Sequence, residues 1–267
     1  MRFKNILICS LLFCVGAVAG KKAHKWQENR ERELKVPHLP SEFTGVRETP
    51  ERDVYVFLHM FNYEQAICRS LSTFAKQEYG KLRLYLLDEN STDGTWEKAH
   101  KYIEEKSLPI EQSVRGDRKE LCAFVEEVLQ EAPRDSLIVP FEGKNWLPHE
   151  YVVQLLNHKI AQNNCQLLLG QLSTYPQYKL GLQRRWIKIQ IDKHKWPKSL
   201  SFPSVFKAFD LSLYQQLPHI DIFNLNEEAH LKPLYEKAGE KTFFSKSVYY
   251  VDNRLEPGKK LLFSEGE

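Results

Sequence analysis

The residues best equipped for chemistry in this chain lie just past short apolar runs. VYVFLH (54–59) leads into His59-Met60-Phe61-Asn62, LRLYLL (82–87) into Asp88-Glu89-Asn90, and SLIVPF (136–141) into Glu142-Gly143-Lys144-Asn145. Carboxylates placed this way can accept hydrogen bonds from a ribose hydroxyl or a base N–H, as a nucleotide site requires. Plainer duties are equally open. Asp88 or Ser91 could cap a following helix with Glu89 in water, and His59 could be a satisfied polar residue at a strand end. An acidic pair, Glu227-Glu228, precedes another helical pattern, where two acids also simply favour the helix dipole. LQRRWIKIQIDKHKWPK (182–198) interleaves Arg184, Arg185, Trp186 and Trp196 with lysines. Such aromatic and cationic mixtures stack on sugar rings and grip anions, although Trp186 and its neighbouring isoleucines also suit a core beneath a basic surface. Nucleophilic catalysis has no support, because no Ser or Cys stands in a nucleophile elbow or beside an evident base.

The elements that must position these residues alternate. The pattern predicts strands over 54–59, 82–87, 109–114, 136–141 and 165–172, and helices over 64–77, 91–106, 117–132 and 148–162. The second helix is expected to be capped by Ser91 or Thr92. Apolar strands separated by amphipathic helices imply right-handed βαβ crossovers around a sheet that is mainly parallel and covered on both faces. Ligands of such sheets bind beyond the carboxyl ends of the strands, where the polar clusters fall. There is no internal repeat and no Gly-rich dinucleotide fingerprint. Asn90-Ser91-Thr92 also fits a glycosylation sequon, which a tight fold or a ligand at that tip would block.

Length and charge set the outer limits. The 267 residues carry a formal charge of +3 with acids and bases interspersed, which excludes nucleic acid as the expected partner. Residues 1–19 have a basic start, an apolar stretch and a small-residue Ala17-Val18-Ala19 end, the pattern of a signal peptide. The expected location is therefore the secretory pathway: secreted, periplasmic or ER/Golgi lumenal by host, or membrane-anchored if the signal stays uncleaved. No stable membrane span is expected beyond it. Residues 20–50 read as a polar linker or arm, 51–254 as the folded domain and 255–267 as a C-terminal tail. Cys68, Cys122 and Cys165 remain after the signal, most simply as buried thiols, with one disulfide open to them in an oxidising compartment.

VYVFLHMFN, LLDENSTDGTWEKA (86–99) and IVPFEGKNWLPHEYV (138–152) together resemble the family-2 type glycosyltransferases over about residues 53–254. Those proteins have an apolar strand, "YN", "DDGSTDGT" and "DxDDWLxP" in that order. The resemblance implies a GT-A fold, a three-layer α/β/α sandwich with a mainly parallel central sheet. It also implies sugar transfer, with inversion, from a nucleotide-diphosphate donor to a glycan, lipid or protein acceptor.

Residue by residue, the resemblance assigns donor contacts to His59, Asn62, Asp88, Glu89, Asn90, Glu142, Lys144 and Asn145. Acceptor contacts fall to Arg184, Arg185, Trp186 and Trp196, and the general base to Glu227 or Glu228, with Glu227 favoured by its offset from Ala229 and Pro233. The same motif implies a divalent metal, Mn²⁺ or Mg²⁺, for which Glu142 is the remaining protein ligand. Lys144 stands where a second acid is usual, and an ammonium cannot coordinate a cation. Two outcomes stay open: Lys144 itself neutralises the diphosphate, or the domain is an inactive carbohydrate-binding or interaction module.

Overall fold

In this computed structural model the described residues are 46, 49–175, 179–180, 206–217, 220–223 and 227–253. Contacts divide the chain after Thr44, and all described residues belong to the second unit, Gly45–Glu267. Strands β1 (Val54–Met60), β2 (Leu82–Asp88), β3 (Gln112–Arg115) and β4 (Leu137–Glu142) alternate with helices α1 (Ile67–Ala75), α2 (Thr95–Lys106), α3 (Arg118–Glu131) and α4 (Val152–Gln162). After β5 (Leu167–Tyr175) and β6 (Lys179–Leu180) come β7 (Phe206–Asp210), α5 (Leu211–Tyr214), α6 (Glu227–Ala238) and β8 (Thr242–Asn253).

The sheet runs β3-β2-β1-β4-β7-β5-β6, with β8 alongside β5. Pairings from β3 through β4 are parallel, as are β5 and β8, whereas β7 is antiparallel to both β4 and β5. The expected mainly parallel α/β sheet is present, and β7 reverses direction within it.

β1 lies between β2 and β4 and is buried at every position. Tyr55, Phe57, Leu87 and Ile138 share one core with Leu121, Val125 and Leu129 of α3 and Leu231 and Leu234 of α6. The strand period of two turns Phe141 to the other face, where it meets Phe74 of α1 edge-on at 5.1 Å. Gly170 of β5 is required by packing: a Cβ there would stand 2.2 Å from Tyr249 Cδ2. Gly143 has a similar part, since a Cβ would lie 3.1 Å from both His59 O and Ile67 Cδ1.

Local chemistry sets the helix starts. α3 opens with a capping box, in which Asp117 accepts from the Glu120 amide and Glu120 from the Asp117 amide. The expected cap for α2 was Ser91 or Thr92. The helix instead begins at Thr95, whose amide donates to Asp93 Oδ1 at 3.0 Å, because Ser91 is already committed to Asp88. The final residues of the segment read as an arm pack on the domain. Val46 is buried, Thr49 hydrogen-bonds His158, and the Pro50 carbonyl accepts from Asn157. Cys68, Cys122 and Cys165 are thiols rather than disulfide halves. Among the described residues no helix is long and apolar enough to cross a membrane.

Candidate active site at the strand tips

Register brings the three polar clusters together. Met60 pairs with Asp88 and His59 with Glu142, so β1 and β2 end level and β4 ends one residue earlier. Side chains alternate along each strand, so Met60 and Asp88 share one face, while His59 and Glu142 share the other, where His59 also meets Glu89. The pairing continues one step past the strands: Glu89 N donates to Met60 O at 2.9 Å, and Gly143 N to His59 O at 2.7 Å.

The β1 and β2 tips are laced through asparagines. Asn62 and Asn90 both adopt positive φ, 57° and 50°, which Asn tolerates better than other side chains. Asn62 Oδ1 accepts from the Thr92 amide at 2.8 Å, and the Asn62 amide donates to Ser91 Oγ at 3.0 Å. Asn90 is exposed beside this turn.

Asp88 is fully buried, and its carboxylate is already engaged. It accepts from the Ser91 amide and hydroxyl and lies 3.2 Å from Arg115 Nε. Glu89 is half-buried and likewise engaged: Arg118 Nε and Nη2 donate to its two oxygens, and His59 Nε2 donates at 2.7 Å. Burial pushes the Glu89 carboxyl up, but the hydrogen bonds from Arg118 and His59 outweigh it and hold the group below its ordinary range. Burial, against the pull of Glu89, holds His59 below the ordinary histidine range, so its ring is neutral near pH 7.

At the β4 tip Lys144 Nζ lies 2.8 Å from Glu142 Oε2, both side chains about one-third or less exposed. Asn145 is buried, and its amide closes a turn onto the Glu142 carbonyl at 3.0 Å. This donor set does not fit a divalent cation. Its one carboxylate already faces an ammonium, and a cation would have to enter against that charge. Among the described residues no group of three or more His, Cys, Asp and Glu could hold a metal.

Four neighbours escaped the sequence reading. Tyr63, whose phenol burial and the charge of Glu142 push up to about 12, remains an O–H donor near Glu142 and Lys144. Arg118, Asp221 and Phe223 surround His59 and Glu89. Arg118 carried a legible signal, because a cation in the first turn of a helix opposes the dipole and must be held by something else. Glu227 and Glu228 open α6, one turn before buried His230, which contacts Lys207 of β7. Their side chains lie outside the described residues, as do Arg184, Arg185, Trp186 and Trp196 in their entirety.

The family description "Glycosyl transferase family 2" matches residues 55–209, more than half of the chain, from within β1 to within β7. The chain belongs to glycosyl transferase family 2. The solved structures it resembles have the GT-A fold. A structure of TarS residues 1–349 from S. aureus superposes with a TM-score of 0.55 at 14% identity, covering 75% of this chain and 60% of that one. The same protein in complex with UDP-GlcNAc gives 0.53 at 16%, covering 76% and 59%. The mannosyltransferase PcManGT from Pyrobaculum calidifontis, in complex with GDP-Man and Mn²⁺, gives 0.56 at 18%, covering 92% and 68%. This family 2 chain thus spans about 60% of the TarS chain it matches. No curated protein matches it.

Proposed function

We propose that this chain is a glycosyltransferase that moves a sugar from a nucleotide-diphosphate donor to an acceptor hydroxyl with inversion. The observation that carries the reading is the Glu142–Lys144 pair, a buried-edge cation at the end of the strand that a GT-A fold turns toward its donor. The acceptor oxygen attacks the anomeric carbon while its proton passes to the Glu227 carboxylate. The bond from the anomeric carbon to the diphosphate breaks, and its electron pair leaves on the phosphate oxygen. Lys144, oriented by Glu142, stabilises that oxygen without reorganisation during the step. Tyr63 adds an O–H donor at the same tip. Glu89 and Asn90 meet the nucleoside, while Asp88 fixes the β2–α2 loop through Ser91 and Arg115. The segment with Arg184, Arg185, Trp186 and Trp196 would grip a glycan or anionic acceptor. In a compartment reached through a signal peptide, the donor must be imported into the lumen.

A second reading is favoured by the same ammonium: a domain that binds sugar or nucleotide without turnover, since the metal-ligand chemistry of the motif is gone. Release of UDP or GDP from a sugar-nucleotide panel over an acceptor array separates the two. The wild type should turn over at least one donor, and Glu227→Gln should abolish transfer with nucleotide affinity nearly intact. Equal turnover in that variant removes Glu227 from the mechanism, and binding without turnover in the wild type selects the second reading.

A further inference from the structure

The turn at residues 220–223 immediately precedes the segment leading into α6, and it is held at one point by the β1 tip and at another by the first turns of α3. The Phe223 ring stacks on His59 with centroids 5.4 Å apart. Asp221 accepts from the Phe223 amide at 2.9 Å, which stiffens the turn, and from Cys122 Sγ at 3.6 Å. Its Oδ1 also lies 3.7 Å from Arg118 Nη1. The remaining nitrogens of Arg118 fork onto both oxygens of Glu89, and His59 closes onto the same carboxylate. A circuit results: Asp221, Arg118, Glu89, His59, Phe223 and back through the turn.

These five residues come from four separate stretches of chain; backbone pairing joins the stretches of His59 and Glu89, and side chains tie Arg118 and the 220–223 turn to them. Arg118 is the only member that touches carboxylates on both sides. Its Nη1 is buried and makes no hydrogen bond among the described residues, standing just beyond reach of Asp221. The fork geometry matters, because a guanidinium can serve two carboxylates in fixed directions whereas an ammonium is a point charge.

We propose that Arg118 is a positioning residue that couples the donor side to the acceptor side. A nucleotide settling against Glu89 at the β2 tip tightens Arg118 onto Asp221 and so fixes the turn ahead of Glu227. This rests on the reading of Glu227 as general base. It predicts that donor occupancy and placement of the base are linked, so that loss of Arg118 or Asp221 slows turnover more than it weakens donor binding.

Hydrogen exchange on the full chain tests the circuit, comparing wild type with Arg118→Gln, Arg118→Lys and Asp221→Asn, each alone and with UDP or GDP. Without nucleotide, Arg118→Gln and Asp221→Asn should speed exchange over 220–231 by about 10-fold while β1 and β4 stay as in wild type. Added nucleotide should protect that segment in wild type and not in these variants, with Arg118→Lys behaving like Arg118→Gln. In transfer assays kcat should fall while donor KM stays within about twofold. Unchanged exchange in the nucleotide-free variants, faster exchange throughout the molecule, or equal nucleotide protection in variant and wild type overturns the proposal. If wild type takes up no nucleotide, the glycosyltransferase reading fails on its own, and the nucleotide-free comparison still decides the circuit.

Discussion

Lys144 Nζ sits 2.8 Å from Glu142 Oε2, so the acid at the end of β4 holds a cation that is covalently part of the chain. A tethered cation has a fixed position and needs no ion from solution. Replacing it with neutral Met, which preserves the stem, should lower kcat by about 10²-fold, the scale of losing one oxyanion-stabilising donor. The melting temperature should fall as well, because the paired oxygen, Glu142 Oε2, is buried and makes no hydrogen bond among the described residues. Steady-state kinetics and thermal melting measure both, and a Lys144→Met enzyme with wild-type kcat contradicts the role.

β5 packs against β8 without room to spare at Gly170. A Cβ there meets the Tyr249 ring at 2.2 and 2.8 Å, and Gly170 of β5 and Tyr249 of β8 both fall at register shifts in the pairing of those strands. Tyr249 is fully buried and stacked on Phe206, so it has little room to yield. Gly170→Ala should cost about 1–3 kcal/mol by overpacking. Denaturant unfolding measures this, and a variant as stable as wild type contradicts the contact.

Acid should weaken the strand tips through His59. Its folded pKa is held down by burial, so the neutral ring contributes stability that is fully present above the unfolded value of about 6.5. That contribution is lost as pH falls from there through the folded pKa, at up to about 1.4 kcal/mol per pH unit. His59→Gln cannot titrate. The stability gap between wild type and this variant should therefore shift against wild type between pH 7.5 and 5.5. A gap independent of pH contradicts the buried neutral ring.

Much of the scaffold was legible because it is written locally. Val54–Met60, Leu82–Asp88 and Leu137–Glu142 are apolar runs ending at acids or at a polar turn, and parallel register alone aligns their tips. The expected helix over 148–162 starts later, at Val152; residues 148–151 form bends and turns, and the Glu150 carbonyl there accepts from the Glu78 amide. The reversed β7 and the long, bulged β8 were not read, since their partners β4 and β5 are set by pairing across the chain.

The site divides in the same way. The cluster positions were visible, whereas their commitments were not. Nothing near Glu89 in sequence reveals Arg118, and nothing near His59 reveals Phe223, because those contacts span 29 residues in one case and far more in the other. The local clues were the capping box at Asp117 and Glu120, which fixes where α3 begins, and the unfavourable place of the Arg118 cation in its first turn.

Calorimetric titration of the wild-type protein with UDP- and GDP-sugars, in EDTA and in Mn²⁺, tests the central claim most directly. Lys144 serving as the built-in cation predicts saturable binding of at least one donor in EDTA, with affinity unchanged by Mn²⁺ and weakened in Lys144→Met. Donor binding that appears only with Mn²⁺, or no binding of any donor, would contradict it.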